Sequence, residues 1–407
     1  RFWILDFRLV HKLKSRIFSQ MSHVAIIGCG VVGAAIAYEL SQVPGLNITV
    51  LDKQSPPSFS AIRGEVREIN HSYQGSTSAA LGVLMGAISQ KVKGKAWQMR
   101  QTSIQRYETL IPELEAAIGR KIPFNRQGIL MLCLEGENLP SWEELVKVRA
   151  DQGWHLEIWD TAQLQVKCPQ LSLAKISAAV YSPQDRQVDP TALTVALVEA
   201  ADRNGVSFQF GVSVLGMETT VSDGENFSAC KQIDTTNGTI EVDWLVIAAG
   251  LGSTPLTASL AQSIEIGPVL GQALHLRLEH PLGNPDFQPV ITGNDVHIVP
   301  VGGGDYWVGA TVEFPVDGYE VVADASQLDA VMDGAIAFCP ELAQATIMKT
   351  WSGLRPRPSG RPAPIIGNLP GFSNILLATG HYRNGVLLAP ATAQAIREAI
   401  LGKNTVF

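Results

Sequence analysis

The sequence predicts an α/β fold in which a unit built on a parallel sheet is interrupted twice by an α+β unit. Three observations carry this prediction. Residues 24–53, VAIIGCGVVGAAIAYELSQVPGLNITVLDK, read as strand, glycine loop, helix and strand. Residues 244–250, WLVIAAG, form a second apolar strand that runs into the glycine turn Gly250-Leu251-Gly252-Ser253. Residues 268–313 read instead as antiparallel strands: Gln272 to Leu278, Val296 to Pro300 and Tyr306 to Thr311, with Gly302-Gly303-Gly304 at a hairpin.

In the first stretch, Val24 to Ile27 leads into Gly28-x-Gly30-x-x-Gly33, and a helix follows with Ala37 and Leu40 on its sheet side. Pro44-Gly45 stops that helix, and the strand Ile48 to Leu51 ends at Asp52, 22 residues after Gly30. Strand, glycines, helix and acid together make a dinucleotide fingerprint of the Rossmann kind. Gly28 permits the tight turn, Gly30 admits the backbone to a pyrophosphate, and Gly33 lets helix and strand pack. The helix start at Val31 and Val32 offers free N–H groups to phosphate. Asp52, followed by Lys53, stands where a carboxylate accepts hydrogen bonds from a ribose. The bland alternative is a glycine-rich turn that binds nothing.

The bulk properties narrow the class. At 407 residues, 46% hydrophobic and 17% charged, the chain is long enough for two or three globular domains. A net charge of −7 weighs against nucleic acid as a partner. No apolar run reaches the ~18 residues of a membrane span. Five scattered cysteines, Cys29, Cys133, Cys168, Cys230 and Cys339, show no C-x-x-C spacing. They indicate neither zinc nor a disulfide framework, and fit a cytoplasmic protein. The eight histidines are dispersed, so no metal site is expected. Residues 1–20 carry five basic residues and one acidic residue, and are expected to be a flexible extension with Met21 as the natural start. The alternative is a basic targeting segment.

Further elements follow the same rules. A helix is expected over 95–118, with Trp97, Ile104, Tyr107, Leu110, Ile111 and Leu114 at helical spacing, then strands at Gly128 to Leu134 and Ala178 to Tyr181 with helices near 141–152 and 160–166. Asp189-Pro190 opens a helix that Gly205 stops. Val206 to Phe210 and Val212 to Val214 alternate as a strand. A helix over 324–344 is interrupted or ended by Pro340. The tail, 350–401, reads as a loop rich in Gly, Arg and Pro, a strand (Ile375 to Thr379), a turn, and a helix with Pro390 in its first turn. The expected division is 21–100, 186–262 and 350–407 in a cofactor domain, and 101–185 and 263–349 in a substrate domain.

The opening fingerprint does not separate NAD from FAD. The late segment ATGHYRNG, Ala378 to Gly385, helps: a C-terminal turn entering a helix would set N–H groups and a positive dipole end beside a flavin ring. That segment continues as ATGHYRNGVLLAPATA and, with Trp351-Ser352-Gly353-Leu354-Arg355-Pro356, resembles the signature of glycine oxidase, in the superfamily of D-amino-acid and sarcosine oxidases. The resemblance covers nearly all of residues 21–402.

What the resemblance implies is a discontinuous FAD-binding domain plus a substrate domain on an antiparallel sheet. It implies oxidation of glycine, sarcosine or a small D-amino acid to an imine by hydride transfer from Cα to flavin N5, with O2 reduced to H2O2. By position, Ser76, Thr77, Leu81, Gly82, Val83 and Val214 resemble flavin-contacting loops. Gly250 belongs to the second glycine-ended strand. Gly380, His381, Tyr382, Arg383, Asn384, Gly385, Val386 and Leu387 resemble the turn around the flavin ring. Arg355 matches the carboxylate-binding arginine, whose planar fork suits a carboxylate; read without the motif, it is equally a structural arginine near Arg357 and Arg361. Arg383 occupies a second substrate-facing position, or braces its loop. His297 stands where a tyrosine is common, and either bonds substrate or is a half-buried sheet histidine. The stretch between Asp52 and Ser76 is longer than usual. His381 is read as supporting the turn rather than as a base, and Ser253 and Ser352 as turn residues, so no catalytic triad is expected. With no cysteine after Cys339, the FAD is expected to be non-covalent. A dehydrogenase passing electrons to a quinone or other carrier, an enzyme acting on an N-substituted glycine of a larger molecule, and a non-catalytic flavin-binding regulator remain the alternatives. A homo-oligomer is compatible with all of them.

Overall fold

A computed structural model describes residues 21–56, 75–221, 227–260, 262–316 and 321–402. The expectations for residues 1–20, and for most of the long stretch after Asp52, lie outside the described residues.

Six strands form the first sheet, in the order Ile365–Asn368, Ile375–Thr379, Trp244–Ile247, Ser22–Ile27, Leu46–Asp52 and Ser207–Phe210. All neighbours are parallel except the edge pair Ile365–Asn368 and Ile375–Thr379. The central strands read as unbroken apolar runs because both faces are covered. Val24 and Ile26 join a core with the helices Val31–Ser41, Gly94–Ile118 and Gly385–Ile400, whereas Ala25 and Ile27 join one with the meander Val214–Val221, Ser228–Thr235 and Gly238–Glu241. The strand expected to continue to Val214 breaks at Gly211, whose φ is +72°, and Val214 begins the meander.

The second sheet has eight strands, in the order Thr346–Pro358, Ile266–Arg277, Asp305–Gly309, Val296–Gly302, Val290–Gly293, Ile129–Leu134, Ile176–Ser182 and Glu157–Trp159. Only Val290–Gly293 against Ile129–Leu134 is parallel. The helix Ala325–Phe338 packs on this sheet through Val331, Ala335 and Phe338, and ends before the 3-10 turn Pro340–Gln344.

Two readings of the tail change. Arg355 lies in a strand, Thr346–Pro358, not in a loop, and the boundary drawn at 349/350 falls inside that strand. The segment is the edge of its sheet, where proline is tolerated. Ser359 N–H donates to Glu265 O, so by alternation the nitrogens of Pro356 and Pro358 face away from the partner strand. The last helix starts at Gly385, one turn before the expected place, and Pro390 sits inside it. A proline there leaves the carbonyl four residues back without its helical donor. The Tyr107 hydroxyl fills the role, donating to Val386 O at 2.5 Å.

Candidate active site

A cavity of about 1350 Å³ opens between the ends of the six-stranded sheet and the face of the eight-stranded one. Every site residue expected from the sequence lines it except Gly33. A Cβ at Gly33 would stand 1.9 Å from Gly28 O, so that glycine serves the close packing of helix on strand.

One end is built from the glycine loop. Gly28 has φ +102°, and a Cβ there would stand 2.6 Å from Ala248 O. No side chain caps the helix Val31–Ser41 at Gly30, so its positive end faces the cavity. Val31 N–H donates to Thr77 Oγ1 at 3.1 Å. Asp52 braces the loop from below, accepting from Cys29 N–H at 2.6 Å and Gln54 N–H at 2.8 Å. Burial pushes the Cys29 thiol far up, with the Asp52 charge adding to it, so it is inert.

The other end joins three elements. Ser76 Oγ donates to Leu354 O at 2.6 Å and Trp351 Nε1 to Ala79 O at 3.1 Å, tying the 76–80 turn to the edge strand. On that strand Arg355 reaches back across Gly271, donating through Nη1 to Leu270 O and Thr311 O, both at 3.0 Å. It forms no ion pair among the described residues. Burial, then the Arg383 charge, holds its pKa below the usual guanidinium range. Arg383 lies in the turn after Gly380, where Tyr382 takes φ +52°, and pairs with Asp295 at 2.9 Å. His297 Nδ1 bonds Thr292 Oγ1 at 2.7 Å. Burial, then Arg383, lowers its pKa to about 4, so the imidazole is neutral at pH 7. His381 is likewise lowered to about 4 by burial; its Nε2 lies 3.0 Å from Thr392 Oγ1, which itself donates to Leu388 O. The ring therefore carries its proton on Nε2, and the contact fixes the turn to the helix Gly385–Ile400. That helix also presents an uncapped N-terminus, Gly385 to Leu387, to the cavity.

The model of the family described as "DAO: FAD dependent oxidoreductase" matches residues 23–399. The chain belongs to this DAO family. It is therefore an FAD-dependent oxidoreductase. It is 27% identical to a glycine oxidase of Geobacillus kaustophilus over 94% of each chain. A crystal structure of glycine oxidase from that organism superposes with a TM-score of 0.80 at 26% identity, over 95% of this chain and 96% of the other. The bifunctional protein ThiO/ThiG of a Synechocystis strain is 30% identical over 93% of this chain, which spans about half (52%) of that longer protein. The hydrogen cyanide synthase subunit HcnC of Pseudomonas protegens is 27% identical over 91% of this chain.

The geometry suits the cofactor of a DAO protein. The volume exceeds the roughly 300–1,000 Å³ of an ordinary ligand pocket, as a dinucleotide plus a substrate requires. Two helix N-termini whose N-cap residues make no side-chain cap face one space, and Gly28 and Gly30 leave the backbone bare, as a phosphate site requires.

Among the lining residues that sequence reasoning missed, four position the ones it named. Gly271 makes room for the Arg355 guanidinium, since a Cβ there would lie 2.2 Å from Nη2. Thr292 orients His297, Asp295 pairs with Arg383, and Arg100 donates to Asn384 Oδ1 at 3.3 Å. Asn294 and Asp295, both at positive φ, are turn residues by type, but nothing local to them names the arginine they meet.

Proposed function

We propose that this protein oxidises a small α-amino acid, such as glycine, sarcosine or a small D-amino acid, to the imine, with O2 as the final acceptor and H2O2 as the second product. The observation that carries the reading is Arg355, whose guanidinium shares one cavity with the helix end Gly385 to Leu387. The glycine oxidases among its relatives support it. FAD, held non-covalently by the glycine loop, the 76–83 segment and the 380–387 turn, supplies the two-electron acceptor.

The residues of the chain bind and orient. Arg355 presents its fork to the substrate carboxylate, while Leu270 O and Thr311 O fix its other side. Arg383, steadied by Asp295, adds a second positive charge nearby. His297, neutral and aimed by Thr292, is a hydrogen-bonding partner for the amine or carboxylate. Asp52 and Asp295 are the acids among the described lining residues; one braces the glycine loop and the other is paired with Arg383. Neither is placed as a general base, and the His297 pKa of about 4 makes it a weak one. The substrate amine therefore enters as the free base, and its lone pair assists departure of the Cα hydride. The six-stranded unit holds the cofactor in this reading and the eight-stranded unit the substrate. The five buried thiols fit a reducing compartment.

Anaerobic mixing of the purified holoprotein with glycine, sarcosine and D-alanine tests the reading. The flavin absorbance is expected to bleach, and air is expected to restore it with release of peroxide. A flavin left oxidised by every compound overturns the substrate class. Bleaching that only an artificial acceptor reverses replaces oxygen with a carrier.

A further inference from the structure

Resting on that reading, we infer that the substrate carries a second acidic group besides its α-carboxylate, and that Arg100 receives it. Among the described residues three arginines line the cavity: Arg100, Arg355 and Arg383. The 3-10 turn Tyr382–Asn384 links them. Arg383 lies in it and acts on Arg355 through its charge, while Arg100 Nη2 donates to Asn384 Oδ1 at 3.3 Å. Two of the three have an anion. Arg383 pairs with Asp295 at 2.9 Å, and Arg355 takes the α-carboxylate in the proposed reaction. Arg100 forms no ion pair among the described residues.

The guanidinium of Arg100 is also short of hydrogen-bond partners. An arginine has five N–H groups. Here Nη1 donates to Ala96 O at 3.0 Å and Nη2 to Asn384, and both acceptors are neutral. Nε is buried and has no partner among the described residues. Burial lowers the pKa of Arg100, and no carboxylate among the described residues offsets that. Arg149 lies close enough for the two positive charges to repel. Asp185, the buried acid behind this segment, supports Arg149 and accepts from the N–H groups of Gly86, Ala87 and Ile88 at 2.7, 2.8 and 2.8 Å. A half-buried charge without a counterion is costly. A carboxylate arriving in the cavity removes that cost and offers an acceptor of the right shape.

The anion that answers Arg100 belongs with the substrate. In the proposed reaction the phosphates of FAD lie on the glycine loop, at the other end of the cavity, and the oxidised ring is uncharged. The approach is basic as well. Gln90 is exposed and lines the cavity, and the exposed Lys91, Lys93 and Lys95 follow it. Residues 89–100 hold these three lysines and Arg100 with no acidic residue. Such a field draws a doubly charged anion more strongly than a singly charged one.

Pairs of compounds that differ in that one charge test the inference. D-glutamate against D-glutamine carries the group on Cα, and N-carboxymethylglycine against its monoamide carries it on nitrogen. The readouts are kcat/KM and the anaerobic rate of flavin bleaching on the holoenzyme. A hydrogen bond to a charged group is worth about 10- to 100-fold. In at least one pair the acid is therefore expected to exceed the amide by about tenfold or more, and that pair shows which atom bears the group. Acids no better than amides in both pairs overturn the inference and leave the proposed function standing. Arg100→Gln is expected to bring the favoured acid-to-amide ratio close to one. A ratio left unchanged overturns the assignment, and weaker sulfite binding to the flavin in that variant would then place the Arg100 charge at the ring instead. Should Arg100→Gln not fold, Arg100→Lys is expected to lower the ratio in part, since the charge stays and the fork is lost; an unchanged ratio counts against Arg100 in the same way. If no compound bleaches the flavin, the proposed function fails, and binding still tests Arg100: glutarate is expected to raise the holoprotein Tm more than its monoamide at equal concentration, and equal shifts overturn the inference.

Discussion

Arg355 lies half-buried; among the described residues Tyr382, Glu313 and Asp295 favour its charge from a distance, while Arg383 opposes it. A fork already bonded to a carboxylate of the protein would have to be released before binding substrate; this one is held by two carbonyls instead. Its position depends on Gly271, because a Cβ there would overlap the guanidinium. Gly271→Ala meets only the far end of a flexible side chain, so the fold is expected to survive while the fork shifts. A displacement of about 1 Å costs up to ~100-fold. KM for the amino acid is therefore expected to rise by about 10- to 100-fold with Tm nearly unchanged, and an unaltered KM would remove Gly271 from the site. At this scale the motifs pointed to Arg355 and Arg383, which the structure brings to one cavity. The sequence did not show Gly271 or Asp295, since each matters only through a residue more than 80 positions away.

Among the elements, the helix Gly385–Ile400 carries its own defect and its repair. Pro390 deprives Val386 O of a helical donor, and the Tyr107 hydroxyl, on the helix Gly94–Ile118, supplies one. Tyr107→Phe leaves a buried carbonyl unpaired, at a cost of about 1–3 kcal/mol. Denaturant midpoints are expected to fall accordingly, and adding Pro390→Ala to Tyr107→Phe is expected to recover part of the loss by restoring the N–H. Purely additive losses in the double-mutant cycle would show that the two residues are not coupled. This pair explains how the helix start escaped the sequence. Proline suggested a first turn, while the true N-cap, Asn384, makes no side-chain cap and instead accepts from Arg100. Asp189 was readable for the opposite reason, since its carboxylate caps Thr191 and Ala192 at 2.8 and 3.0 Å within its own segment. The strand Thr346–Pro358 was hidden by its prolines, which mimic a loop until the edge position is known.

Across the whole molecule, the parallel sheet was legible from apolar runs and part of the antiparallel one from short strands around the Gly302-Gly303-Gly304 hairpin. The order of eight strands was not, because pairings such as Val290–Gly293 with Ile129–Leu134 join segments with no local sequence link. The joined architecture has a consequence for acid stability. His297 and His381 are both held near pKa 4, below the ordinary value of 6.5. Between those values the unfolded chain binds protons that the folded protein refuses. Stability from these groups is complete above about pH 6.5 and declines as pH falls toward 4. Unfolding free energies at pH 7, 6 and 5 are expected to decrease in that order, and His381→Asn is expected to flatten the slope. An identical slope in the variant would show that His381 titrates normally.

The outward nitrogens of Pro356 and Pro358 bear on how faithfully the edge strand is assembled. A one-residue slip would turn both toward the neighbouring strand, forfeit two rungs of the ladder and swing Arg355 to the opposite face. Residues unable to donate thus act as a ruler for the placement of Arg355, and mispaired folding is penalised at the place where it would turn that guanidinium away from the cavity.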